Sequence, residues 1–191
     1  MKNLAPSSVS LIGNASRLLQ WLFVFLAIAL VPIRIVGWML YDPTLPIDDH
    51  VVLYGLTLLL SPSDIIGHID MQQRLLAMAA SALPTVLGVL IFAKLARLFS
   101  LYRQGQIFTA QVVATIRYLG FALIGAQACD FVFQALCGVA LTWNNGTGHR
   151  QLSIGFGFPH CELLIVAAIV IFSSWVMDEG RRLQAEQDLT I

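Results

Sequence analysis

The sequence predicts an all-α integral membrane protein, a four-helix bundle whose two termini both lie in the cytoplasm. Apolar residues make up 58% of the 191 residues and charged residues only 12%. That charged share is about half of the roughly 25% found in soluble globular proteins. Four apolar blocks in the chain are long enough to cross a hydrocarbon layer of about 30 Å, which takes roughly 20 helical residues. These observations predict a single membrane domain over residues 1–191.

Each apolar block is predicted to be a helix because the bilayer core has no water to hydrogen-bond an open backbone. The first block contains small residues, Ala27 and Ala29, in the arrangement of a signal-peptidase site. The apolar run continues past them without a polar region, so an uncleaved first helix is the better interpretation. The predicted transmembrane helices cover about residues 18–40, 75–98, 118–143 and 159–177.

The orientation is predicted from lysine and arginine, because positively charged loop residues are retained in the cytoplasm. Eight cations fall on one side of the predicted helices and two, Arg74 and Arg150, on the other. Both termini, the loop at residues 99–117 and the tail at residues 178–191 are therefore expected to be cytoplasmic. The eight cations are Lys2, Arg17, Lys94, Arg97, Arg103, Arg117, Arg181 and Arg182.

The third predicted helix carries a polar stripe inside the membrane. Gln127, Asp130 and Gln134 recur at spacings of three and four residues, which places them on one helix face. A carboxylate at the bilayer centre costs about 2.5–3.5 kcal/mol on insertion scales, so Asp130 is expected to face the bundle interior. Its natural partner is Arg34, because the two residues fall at similar depths along helices one and three. These four residues form the predicted intramembrane polar site.

Three interpretations of Arg34 and Asp130 stay open. As a functional pair they would relay protons or ions, or line a polar pocket for a small ligand. As a structural pair they would neutralise each other and fix which helices are neighbours. The structural interpretation is favoured because transporters usually show internal repeats and more than one central acid, and this sequence shows neither. In the third interpretation Arg34 extends toward the membrane surface and Asp130 is protonated.

The sequence gives no indication of an enzyme, a cofactor or a metal site. It contains no Ser-His-Asp, Walker or dinucleotide-binding pattern. The stretch PHCE places His160, Cys161 and Glu162 next to each other, but consecutive helical residues point about 100° apart and cannot chelate one ion as a set. Pro159 and Glu162 are instead typical of the start of a helix.

Charge and cysteine usage narrow the possibilities further. The net charge of the chain is zero, so its composition does not predict direct binding of nucleic acid. Its three cysteines have no CxxC spacing, and a thiol-redox function is not expected. Whether Cys137 and Cys161 pair is left open.

Two motifs on the predicted cytoplasmic side carry a resemblance to a known family. The residues of the loop motif are Gly105, Ile107, Phe108, Thr109, Arg117 and Gly120, and those of the tail motif are Glu179, Gly180, Leu183, Glu186, Gln187, Leu189 and Thr190. With these residues the chain resembles the bacterial four-helix membrane proteins of the family domain of unknown function 2975. The chain has Gln111 and Val112 where the family usually has Glu-Asn, so a polar role for that Asn does not carry over. The resemblance implies no activity, because none is established for the family, but it does imply a partner, since family members are often encoded beside a small helix-turn-helix regulator.

The leading functional hypothesis is a regulatory protein of the bacterial inner membrane. Its cytoplasmic loop and tail would bind a helix-turn-helix transcription factor and hold it at the bilayer, and the protein would contact lipid and could form homo-oligomers. The alternative is a small transporter or ligand-binding membrane component with its polar site at Asp130. The residues predicted to bind the partner are Arg103, Phe108, Arg181, Arg182, Leu183, Glu186 and Leu189.

Overall fold

The computed structural model contains four long helices and one short β-hairpin. It describes residues 6–40, 51–53, 56–58, 65, 69–106, 108–146 and 148–188. The hairpin joins β1 (Val51–Leu53) and β2 (Leu56–Leu58), which pair antiparallel with Val52 opposite Thr57. The helices are α1 (Pro6–Leu40), α2 (Met71–Arg103), α3 (Ala110–Leu141) and α4 (Phe158–Asp188).

All four helices are long and apolar enough to cross a membrane. The predicted fold class, an all-α protein with four transmembrane helices, is therefore confirmed. The side of the membrane on which the termini lie stays a prediction. The hairpin lies between α1 and α2, in a segment predicted to face the outer side of the membrane. It was not foreseen from the sequence, because its two strands of three residues are too short to show a period-two pattern.

The helices extend beyond the apolar blocks. α2 continues to Arg103 and α3 begins at Ala110, so helix covers most of the predicted loop at residues 99–117. α4 continues to Asp188 and covers most of the predicted tail. Apolar content marks where a chain crosses lipid, whereas arginine, glutamine and glutamate are good helix formers that continue a helix into water. α3 ends at Leu141, two residues before the predicted end of the third apolar segment.

Side chains of α2 satisfy the backbone groups at three helix ends. The Asp70 N–H donates to Gln73 Oε1 at 2.9 Å, which is the returning arm of a capping box. The Gln73 amide also donates to the Leu141 carbonyl at the end of α3, at 2.9 Å. Arg74 Nη1 donates to the carbonyls of Trp38 and Met39 at the end of α1, each at 2.9 Å. The start of α2 therefore holds the adjacent ends of α1 and α3.

The turn between α2 and α3 is built by a glycine and a threonine. Gly105 has a φ of 75°, and the Gln106 N–H donates to the Leu101 carbonyl at 3.1 Å. This is the Schellman arrangement, in which glycine ends a helix in the left-handed conformation. Thr109 Oγ1 accepts the Val112 N–H at 3.4 Å, so Thr109 is the N-cap of α3.

The helices pass through two compact units. Unit 1 comprises residues 1–27, 89–124 and 161–191, and unit 2 comprises residues 28–88 and 125–160. In unit 1, aromatic rings hold α1 to α2, because Phe23 stacks on Phe92 and Phe99 with ring centroids 6.2 and 5.6 Å apart. The apolar core of unit 1 consists of Leu98, Leu101, Val112, Ile116 and Leu119, with Ile91, Leu95, Tyr102, Val170 and Met177 packed against it.

Unit 2 has its own core, built around a tryptophan. Trp38 of α1 is fully buried and packs on Phe133 of α3, with ring centroids 6.4 Å apart. Its indole N–H donates to Ser81 Oγ of α2 at 3.1 Å, which satisfies the one polar atom of the ring. The core of unit 2 consists of Trp38, Ile65, Ile69, Ala77, Ala80, Phe133, Cys137 and Leu141.

Candidate functional site

The connection from α3 to α4 does not stay at the end of the bundle but runs back along α3. The Gln151 N–H donates to Thr142 Oγ1 at 3.0 Å, and the Gly155 N–H donates to Gln134 Oε1 at 2.9 Å. Gln134 precedes the end of α3 at Leu141 by seven residues, which is about 10 Å along the helix. The stretch from residue 151 to residue 157, here called the return segment, is therefore extended and antiparallel to the last two turns of α3.

Apolar and small residues alternate along the return segment. The even-numbered residues Leu152, Ile154 and Phe156 are exposed, as is Phe158 at the start of α4. This alternation is typical of extended chain, in which successive side chains point to opposite faces. The absence of a side chain at Gly155 lets its N–H approach α3. In a membrane, the exposed apolar row meets lipid and the polar backbone meets protein, as non-helical chain at that depth requires.

The return segment delivers His160 to the interior of unit 2. His160 is the third residue of α4 and is only 4% exposed. The Gly157 N–H donates to His160 Nδ1 at 3.1 Å, and the His160 N–H donates to the Gly157 carbonyl at 3.1 Å. The first of these bonds is the returning arm of a capping box, with an imidazole in place of the usual Glu or Gln.

Two aromatic rings fix the plane of the His160 imidazole. Phe131 of α3 stacks on it with ring centroids 5.2 Å apart and planes 10° apart. Phe156 of the return segment stacks on it at 5.6 Å and 25°. Because Nδ1 accepts the Gly157 N–H, it carries no proton, and the proton of the neutral ring lies on Nε2.

Asp130 contacts the Nε2 side of the His160 ring. His160 Nε2 lies 3.1 Å from Asp130 Oδ2, so its N–H donates to the carboxylate. The Gln134 amide donates to the same oxygen at 2.8 Å. Asp130, Gln134 and His160, here called the Asp130 cluster, thus join α3 to the start of α4. Gln134 also accepts the Gly155 N–H, so one amide links the carboxylate to the return segment.

Arg34 of α1 adds a positive charge to unit 2. Its side chain is buried, with 7% of the residue exposed, and the carboxylate of Asp130 attracts it electrostatically. The pairing of Arg34 with Asp130 stays a prediction, and Asp130 has in addition a histidine partner that the sequence did not indicate. Asp130 therefore faces protein groups from α1, α3 and α4.

Gln127 stands apart from the other predicted polar residues. It lies one turn before Asp130 on α3 and is half-buried. Its Oε1 is shielded from solvent but accepts no hydrogen bond from the described residues. A buried acceptor of this kind normally has a partner such as an ordered water. Gln127 is thus an open acceptor near the Asp130 cluster rather than a member of it.

The described residues offer little for a metal or for thiol chemistry. In these parts of the chain, no group of three His, Cys, Asp or Glu side chains is arranged to hold an ion. Cys129, Cys137 and Cys161 are all free thiols. Cys137 and Cys161 therefore do not pair. The Asp130 cluster is held together by hydrogen bonds.

The described residues among those predicted to bind a regulator belong to α2, to the turn between α2 and α3, and to α4. Phe108 and Leu183 are each 53% exposed, while Leu189 lies outside the described residues. Arg181 donates to Asp178 Oδ1 at 3.1 Å, and Arg117 donates to Asp178 Oδ2 at 3.4 Å. Arg181 is therefore partly engaged within the chain. The residues Arg103, Arg182 and Glu186 are exposed.

Comparison with known proteins gives one match. A family model described as protein of unknown function (DUF2975) matches residues 66–191, which is 126 of the 191 residues (191 − 66 + 1). No curated protein and no solved structure matches the chain. The matched region contains α2, α3 and α4 complete, and with them every residue of the Asp130 cluster.

Proposed function

The chain belongs to the DUF2975 family, and from that premise and the Asp130 cluster we propose that it is a small transport or ligand-binding component of the membrane. Its polar site is centred on Asp130, and the proton is the simplest species that the site exchanges. The observation that carries the proposal is the contact between His160 Nε2 and Asp130 Oδ2 at 3.1 Å. Two protonable side chains in direct contact inside a membrane protein are the components of a proton relay.

The surroundings of the pair support a functional role over a purely structural one. Neutralising Arg34 requires only a carboxylate, yet Asp130 also receives His160 and Gln134. Gln127 Oε1, buried and without a donor among the described residues, is an acceptor for a water or ligand near this carboxylate. If Asp130 only joined helices, an unsatisfied Gln127 Oε1 beside it would add a cost and no benefit, because a buried acceptor without a hydrogen bond is destabilising.

The test is proton flux in proteoliposomes that enclose a pH-sensitive dye. We expect wild-type protein to dissipate an imposed pH gradient faster than empty liposomes, and Asp130→Asn to reduce the rate to that of empty liposomes. Glu162→Gln is the matched control, because Glu162 is an exposed acid on α4 outside the Asp130 cluster. Wild-type flux equal to that of empty liposomes, or equal flux in wild type and Asp130→Asn, contradicts the proposal.

A second candidate function is the regulatory one, with a helix-turn-helix transcription factor as partner and the bacterial inner membrane as location. It is favoured by the exposure of Phe108 and Leu183, because apolar side chains beyond the lipid need a protein surface to cover them. Homo-oligomers would cover the same residues. The cations near them, Arg103 and Arg182, are exposed and would give the surface a positive character.

This candidate is tested by truncation. Deleting residues 184–191 should release a co-expressed neighbouring regulator from the membrane fraction while the truncated protein still inserts and melts normally in detergent. If neither the location of the regulator nor the expression of its target genes changes on truncation, this candidate loses its support. Degradation of the truncated protein shows that the tail is structural.

A further inference from the structure

Unit 1 carries an open groove with a volume of about 290 Å³ between α2 and α3. It is separate in the sequence from the Asp130 cluster, which belongs to unit 2. Two of its lining residues are cations, which is unusual for a surface between transmembrane helices because charged side chains there are rare. The groove is lined by Lys94, Arg97, Gln111, Ala114, Thr115 and Tyr118.

The two cations of the groove are not neutralised by carboxylates of the described residues. In those parts of the chain the ion pairs are Arg117–Asp178, Arg181–Asp178 and His160–Asp130. Lys94 and Arg97 take part in none of them. The Lys94 ammonium is held over the Tyr118 ring, 4.8 Å from its centroid. A cation–π contact positions an ammonium group without cancelling its charge, so the groove holds two available positive charges.

The start of α3 strengthens the positive field of the groove. Gln111 is the second residue of α3, and the N-terminal end of a helix behaves as a partial positive charge. The exposed Gln111 side chain also has an amide that can donate hydrogen bonds. Thr115 contributes less, because its hydroxyl already donates to the Gln111 carbonyl at 2.7 Å. Two cations, one helix end and one amide donor thus face a single concave surface.

The position of the groove along α2 corresponds to the lipid headgroups. Lys94 follows Met71, the first residue of α2, by 23 residues (94 − 71). At about 1.5 Å per residue this is about 35 Å, slightly more than the hydrocarbon thickness of about 30 Å. A helix that enters the hydrocarbon at Met71 would therefore place the Lys94 ammonium among the phosphate groups of the opposite leaflet.

We propose that this groove binds a phosphate-bearing anion, with Lys94 and Arg97 as the charged ligands and the Gln111 amide as a hydrogen-bond donor. Lipid headgroups and soluble phosphate compounds share this chemistry, and basic pockets between transmembrane helices are known to take anionic headgroups. The site is independent of the proton-exchange function proposed for Asp130.

The test uses native mass spectrometry of the full chain with phosphatidylglycerol or phosphatidylcholine. We expect Lys94→Gln/Arg97→Gln to bind phosphatidylglycerol roughly 30-fold more weakly than wild type, because each cation near a headgroup contributes about fivefold in affinity. Arg17→Gln/Arg150→Gln removes the same charge from exposed positions outside the groove. This control should stay within about twofold of wild type, since distant exposed charges are screened.

Added inorganic phosphate distinguishes the two sources of the ligand. Displacement of phosphatidylglycerol by phosphate assigns the groove to a soluble phosphate compound, and retention of the lipid assigns it to a headgroup. Ala114→Trp is a second test, which serves if Lys94→Gln/Arg97→Gln does not fold. It fills the groove without removing charge and should also weaken binding. The proposal is overturned if the two double variants lose affinity for phosphatidylglycerol equally, or if Ala114→Trp binds it as wild type does. It is also overturned if the protein shows no preference for phosphatidylglycerol over phosphatidylcholine and does not bind inorganic phosphate.

Discussion

The two ring nitrogens of His160 have different partners. The charge of the ring is therefore linked to the backbone hydrogen bond at the start of α4. Nδ1 accepts the Gly157 N–H and holds the start of α4, while Nε2 faces Asp130. A proton added to Nδ1 would remove its acceptor, so protonation of the ring would break the cap at Gly157. The residue that donates a hydrogen bond to Asp130 is thus also the residue that fixes the end of the return segment.

A double-mutant cycle tests whether Arg34 and Asp130 interact. Arg34→Leu or Asp130→Leu alone leaves one charge buried without its counter-charge, whereas the double change leaves apolar side chains. We expect the sum of the two single losses in detergent stability to exceed the loss in the double variant. The difference should be roughly 0.5–3 kcal/mol, the range for groups in contact. Thermal melting of the three variants and wild type supplies the numbers. Losses that simply add show that the residues do not interact.

At this scale the sequence predicted the acid but not its principal hydrogen-bond partner. Asp130 and Gln134 are four residues apart on one helix, so their contact follows from helical geometry alone. His160 is 30 residues from Asp130, and its contact depends on the path of the return segment. The one local signal was the alternation of apolar residues at Leu152, Ile154 and Phe156, which indicates extended chain.

Among the elements, α3 contacts another helix through a glycine in each unit. In unit 1, a Cβ added at Gly120 would overlap Ile171 Cγ1 of α4 and lie 3.2 Å from the Ile171 backbone nitrogen. In unit 2, a Cβ added at Gly125 would lie 3.7 Å from Leu87 Cδ2 of α2, an ordinary contact. Small residues let transmembrane helices approach in this way, because packing rather than water drives their association.

Alanine at these two glycines should therefore have different effects. We expect Gly120→Ala to destabilise the protein by roughly 1–3 kcal/mol, because the backbone of α4 must move to admit the methyl group. Gly125→Ala should be close to neutral, since the added methyl group meets a flexible leucine end at normal distance. Melting temperatures in one detergent compare the two variants directly. Equal destabilisation by both would contradict the close contact at Gly120.

Helix ends were the elements least visible in the sequence. The apolar blocks gave the number of helices, because lipid imposes a length on each crossing. They did not give the continuation of α2 to Arg103, since its last turn lies beyond the apolar block. The capping box at Asp70 and Gln73 was a readable signal for the start of α2, with the D-x-x-Q spacing of such caps.

For the whole molecule, the topology stays a prediction, and the cations on which it rests are divided between the two units. The cations of unit 1 for which side-chain exposure is described are Arg17, Lys94, Arg97, Arg103, Arg117, Arg181 and Arg182. Unit 2 contains Arg34, Arg74 and Arg150. The residues expected in the cytoplasm therefore occur together in one unit, although the sequence separates them by up to 165 positions (182 − 17).

Reporter fusions test this topology. We expect fusions after Arg103 and after Ile191 to report the cytoplasm, and fusions after Asp49 and after Gly148 to report the outside, because lysine and arginine are retained on the inner side. A cytoplasmic signal from the Asp49 fusion would overturn the arrangement of four crossings with both termini inside.

The central claim is that Asp130 gains and loses a proton within the assembled protein, and infrared difference spectroscopy of the full chain in lipid measures this directly. On acidification, a protonated carboxyl group gives a carbonyl stretching band that a carboxylate lacks. We predict a band in wild type and in Glu162→Gln that is missing from Asp130→Asn, with the three proteins equally folded. The same band in wild type and in Asp130→Asn would contradict the claim, because Asp130 would then exchange no proton.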